Sequence, residues 1–93
     1  MVVKLVEVEK VGNDISSRSQ YRLREIFVNP DQVTMLREDL ALKTLLTEGR
    51  LPEQLDSRME FTRVFLNTGM DIFVVGSPTI VESKLKPKQL LRG

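Results

Sequence analysis

The chain has 93 residues, 41% of them hydrophobic and 29% charged, with a formal net charge of +1 and neither histidine nor cysteine. That composition excludes disulfides, thiolate chemistry and cysteine metal sites, and it removes the commonest general base and metal ligand together. A charge so near zero also argues against a protein whose main task is coating nucleic acid.

The amino-terminal run Met1-Val2-Val3-Lys4-Leu5-Val6-Glu7 meets charge too soon for a signal-peptide apolar region. No apolar run approaches the roughly 18 residues of a membrane span. The expectation is a single cytoplasmic domain over residues 1–93. Val2 to Val8 is rich in β-branched residues and reads as a first strand, with Val2, Val6 and Val8 on one face. Lys10 to Ser19, with Gly12-Asn13-Asp14 and Ser16-Ser17, reads as a turn-rich and mobile connection.

Gln20 to Val28 is the second strand. Tyr21, Leu23 and Phe27 alternate on one face, while Ile26 and Val28 fall on the other beside Arg22 and Arg24. Either both faces are partly covered or a bulge near Arg24-Glu25 shifts the phase. Asn29-Pro30-Asp31 makes a turn, the proline pre-setting φ. Val33 to Arg37 is a short third strand.

From Asp39 the period changes to that of a helix. Ala41, Leu42, Leu45 and Leu46 fill one arc, with Asp39 as N-cap and Gly49 as the left-handed residue beyond the end. Leu51 and Leu55 pin the segment that follows.

Phe61 to Gly76 holds two apolar, β-branched and aromatic runs flanking Asn67-Thr68-Gly69, a hairpin with a three-residue loop. Pairing about that loop sets Leu66 opposite Met70, Val64 opposite Ile72 and Thr62 opposite Val74, an apolar core side. The other side pairs Phe61 with Val75, Arg63 with Phe73 and Phe65 with Asp71, and it carries three of the four phenylalanines. Rings of this kind bury on the order of 150–250 Å² each when covered, so this second side needs a helix, a partner or stacked bases over it. Ser77 as N-cap and Pro78 at the first helical position begin a last helix. Val81 and Leu85 lie on its inner face with Ile80 beside them, Glu82 and Lys86 form an outer pair, and Pro87 ends it. The fold class expected is α+β: an antiparallel sheet of about five strands with an inserted amphipathic helix and a short carboxy-terminal helix.

No catalytic motif appears. The carboxylates form no recognisable acid/base pair, the glycines form no phosphate-cradling loop, and Glu38-Asp39 lacks the ligand spacing of a calcium site. The sequence therefore predicts a non-enzyme with no cofactor and no metal. It predicts a small adaptor, regulatory or assembly protein that binds a protein partner or itself. The partner-binding candidates are Phe61, Arg63, Phe65 and Phe73, with Leu42, Leu45 and Leu46 as an alternative patch. Self-association is the simplest way to cover a face left open. The competing expectation is a single-stranded nucleic-acid binder that stacks bases on Phe61, Phe65 and Phe73. Arg22, Arg24, Lys84, Lys86 and Lys88 would then meet phosphates.

Three stretches carry a resemblance: Tyr21 to Glu38 with its Phe27-Val28-Asn29-Pro30-Asp31-Gln32-Val33 core, Phe65-Leu66-Asn67-Thr68-Gly69, and Ile72-Phe73-Val74-Val75-Gly76-Ser77-Pro78. In these the chain resembles small uncharacterised proteins of tailed cyanophages, and its skeleton is similar to the flagellar FlbD-like proteins. Those share an Asn-Pro-Asp turn after a strand, a Thr/Asn-Gly hairpin and a short terminal helix. Asp39 to Asp56 is inserted where the FlbD-like pattern has a tight turn. The resemblance implies a phage-encoded protein acting in the host cytoplasm, and it implies no catalytic residue.

Overall fold

The structure, a computed structural model, describes residues 1–11 and 20–86. Of the turn-rich connection expected over Lys10 to Ser19, Lys10 and Val11 instead belong to the first strand and the rest lies outside the described residues, as do Pro87, Lys88 and the rest of the tail. Five strands and two helices follow in the order β1 (Val3–Val11), β2 (Gln20–Val28), β3 (Val33–Glu38), α1 (Leu40–Thr47), β4 (Phe61–Leu66), β5 (Asp71–Val75) and α2 (Pro78–Leu85). All strand pairs are antiparallel, in the order β2-β1-β5-β4-β3. This is the α+β architecture expected.

The sheet cannot be flat. β2 and β3 are its opposite edges, yet only Asn29 to Gln32 join them, through a 3₁₀ turn at Pro30–Gln32. Such a link reaches at most about 18 Å, whereas the edges of a flat five-stranded sheet stand about 19 Å apart. The sheet therefore curls until the end of β2 approaches the start of β3. Asn29 holds the turn by accepting a 2.9 Å bond from the Asp31 amide.

Curling separates two faces, each with its own helix. On one, Leu5, Val28, Val64, Ile72 and Val74 pack with Val81 of α2. Ser77 caps that helix, its side chain accepting from the Ile80 amide at 3.2 Å, and Pro78 occupies the first turn. Gly76 enters it at φ +118°, a conformation that side chains rarely adopt. Thr62 is fully buried here, and its hydroxyl donates to the Gly76 carbonyl at 2.8 Å.

On the second face, Val8, Phe61, Leu42 of α1 and Leu51 form the core, with Leu45, Leu46 and Leu55 packed beside them. Asp39 caps α1 by accepting from the Ala41 amide, and Gly49 follows its end at φ +74°. Lys43 donates to the Ser57 and Met59 carbonyls, tying the return segment to the helix.

Several local expectations change. β1 is buried on both sides, Leu5 toward α2 and Val8 toward α1, and Val2 is exposed rather than aligned with Val8. β2 pairs with β1 in unbroken register, so Ile26 and Val28 are inward because both faces are covered. The irregularity lies instead in β3, between Val33 and Met35. Ile80 points to solvent. Lys86 has left the helical conformation, at ψ 143°, so its pairing with Glu82 across one helical turn does not form.

Candidate functional site

The β4–β5 hairpin has the register its sequence predicts, and this positions the site. Gly69 adopts φ +95°, and the Leu66 amide donates to the Met70 carbonyl at 2.9 Å across the loop. Phe61, Arg63 and Phe65 then face Val75, Phe73 and Asp71 in turn. One strand further out, Met35 stands opposite Phe65, and Arg37 opposite Arg63.

α1 covers only part of this face. It begins one residue after β3 ends, beside Phe61, and with the return segment it crosses toward Tyr21 and Leu23 of β2. Phe61 is sealed at 0% exposure, Leu42 is buried, and Leu45 and Leu46 are half-buried against the sheet. These four predicted contact residues therefore belong to one core. Phe73 sits at its margin, forming part of a mainly apolar groove of about 260 Å³ with Val8, Tyr21, Leu42 and Leu45, to which Lys10 and Asp39 add charge.

Beyond the helix lies an open corner. Arg63 is exposed there and packs over two rings, its guanidinium carbon 4.9 Å from the centroid of Phe65 and 5.4 Å from that of Phe73. Asp71 fixes it from the side, accepting a 2.6 Å bond from Nε. Arg37, directly across from Arg63, is in none of the six ion pairs among the described residues. Like charges opposite one another on a sheet repel, and Asp71 relieves that repulsion on the Arg63 side. Met35, at 42% exposure, extends the patch to the sheet edge.

A second open corner holds Phe27, the most exposed ring of the sheet at 60%, on β2 beside Lys4. Neither Phe27 nor Met35 was among the predicted contact residues. The signal for Phe27 was its phase with Tyr21 and Leu23. Met35 was obscured because the bulge at Thr34 moves β3 out of simple alternation.

The basic residues of the nucleic-acid reading occupy the opposite side. Arg22 and Arg24 share a face with Glu7, Glu9 and the α2 core, and both guanidinium groups bind Glu9, at 2.7 and 3.2 Å. Arg22 first, then Arg24, hold the Glu9 carboxyl below its ordinary range. Lys84 and Lys86 are exposed at the end of α2, again away from the rings, and Lys88 lies outside the described residues. Elsewhere, Arg58 lowers the Asp56 carboxyl through side-chain and backbone hydrogen bonds.

Among the described residues, no group of three His, Cys, Asp or Glu side chains is arranged to hold a metal, and no helix is long and apolar enough to cross a membrane. Comparison with known proteins gives no match to any family model, curated relative or solved structure.

Proposed function

We propose that this chain is a non-enzymatic interaction protein that recognises protein through the open corner of its second sheet face. Arg63, Phe65 and Phe73 make the contact, and Met35 forms its rim. The observation that carries this reading is the clamped arginine: an exposed guanidinium held against two rings and one carboxylate. Arginine and aromatic side chains dominate the energetics of protein contacts. A cluster already fixed by its neighbours loses less freedom on binding than a loose one. The resemblance to small cyanophage proteins gives the setting of the proposal, a phage-encoded regulatory or assembly factor in the host cytoplasm.

Single-stranded nucleic acid is the weaker reading. Arg63 is matched by Asp71, Arg22 and Arg24 are matched by Glu9 on the far side of the sheet, and Phe61 is inaccessible to a base. Near the rings Arg37 and Lys10 alone stand outside the ion pairs among the described residues, and two charges give only a small drive from counterion release. The test is titration of labelled single-stranded oligonucleotides at low and moderate salt. No saturable binding is expected. Tight binding that collapses with salt and in Phe65→Ala would overturn the proposal.

A further inference from the structure

Among the described residues the sheet ends in two edge strands, β2 and β3, and their charges differ. Along β2, an antiparallel pairing with a second copy centred on Leu23 sets Arg22 against Arg24. Centred on Arg24 it sets that residue against itself, and centred on Glu25 it does the same for the glutamate. Directly opposed like charges destabilise a sheet, so these three registers of β2 are disfavoured, and the one centred on Ile26, which sets Glu25 against Phe27 and Arg24 against Val28, opposes no like charges. β3 carries only Arg37 and Glu38 among its six residues and has no such protection in one particular register.

That register follows from the backbone. The Asp39 amide donates to the Phe61 carbonyl, so in the alternating antiparallel pattern the pairs Arg37–Arg63 and Met35–Phe65 are the bonded ones. The N–H and C=O groups of Leu36 and Glu38 consequently point away from β4, out of the sheet. Centring a second strand on Leu36 bonds the Leu36 groups to those of its copy and sets Glu38 opposite Thr34 at each end. It also brings Met35 of each copy opposite Arg37 of the other, with Phe65 one strand further in. Moving the centre to Met35 sets the bulged Thr34 against Leu36, next to the axis, instead of at the ends of the pairing. Moving it to Arg37 opposes that arginine to itself and drives the partner strand into the start of α1.

We infer that a second copy of this chain docks antiparallel along β3 with Leu36 at the two-fold axis, extending the sheet across both molecules. Resting on the interaction reading above, this makes the Arg63 corners of the two copies neighbours on one continuous face. The Arg37 side chain of each copy then lies over Met35 and Phe65 of the other, a cation against thioether and ring.

The absence of cysteine allows a direct test, since each introduced thiol is the only one in its chain. Met35→Cys and Arg37→Cys proteins are mixed and mildly oxidised, and the wild-type mass is measured by light scattering over a concentration series. The inference expects a mass rising to twice 10.7 kDa and a disulfide joining one variant to the other. Opposed residues of a non-bonded pair stand about 4.5 Å apart at Cα, within disulfide range. Cross-links within the Met35→Cys sample alone or the Arg37→Cys sample alone would overturn the register. A monomer at every concentration would overturn the pairing itself. A dimer that forms no mixed disulfide and dissociates in Phe65→Ser would overturn β3 pairing while leaving the open corner as the contact surface.

Discussion

Val64 and Val74 are fully buried beneath Val81 of α2; across the same two strands, Phe61 is sealed, Phe73 half-buried and Arg63 open. The difference comes from where each helix is attached. α2 leaves β5, a central strand, after a glycine and a capped turn, and falls back over the middle of the sheet. α1 leaves β3, an edge strand, and can reach only one end of the opposite face. Phenylalanines on a single face thus have different fates, decided by register and not by residue type.

The largest expected effect contrasts two rings of that face. Phe61→Ala removes a fully buried side chain, and urea unfolding should show a loss of about 3–5 kcal/mol. Phe65→Ala, at a half-buried position, should lose about 1 kcal/mol, within the ordinary range for partly exposed sites. Equal losses would erase the distinction between covered and open halves. Next comes the entry to α2: Gly76→Ala at φ +118° should cost about 1–3 kcal/mol. The two N-caps should behave alike, Ser77→Ala and Asp39→Ala each lowering stability by about 1 kcal/mol. A much smaller loss for Asp39→Ala would mean that α1 is held by its leucines alone.

The clamp around Arg63 should matter for contact more than for folding. Asp71→Asn is expected to change stability by less than about 1 kcal/mol, because the pair is largely exposed, while weakening self-association measurably. The smallest effect is the pH response of the far face. Glu9 is held below its ordinary value of 4.5 by Arg22 and Arg24. With the folded value depressed, its contribution is present above about pH 4.5 and is lost as pH falls through the folded value. An acid titration should therefore show a shallow fall in stability below that pH, reduced in Glu9→Gln.

Much of this architecture was legible in the residues. The hairpin register followed from Gly69 and from alternation on either side of it, and both helix starts followed from their caps. Coverage was not legible. Ser77 announces α2, but nothing local in Ala41 to Leu46 states which half of a curled sheet the leucines will cover. That depends on the four-residue link from β2 to β3 and on β3 being an edge. The bulge at Thr34, which turns Met35 beside Phe65, likewise has no glycine or proline to mark it. The hairpin register already put Arg63 and Asp71 on one face, whereas the bond between them, diagonal to the strand pairing, emerged only with the side-chain geometry.

The most direct test of the open corner as a protein contact is to replace Phe65 with the photoreactive benzoylphenylalanine and irradiate cells making the protein. The same substitution at Ile80, exposed on α2, serves as the control. The account predicts a discrete protein adduct from position 65, one species having the mass of two chains, and none from position 80. Adducts that vanish on nuclease treatment, or equal protein adducts from both positions, would contradict it.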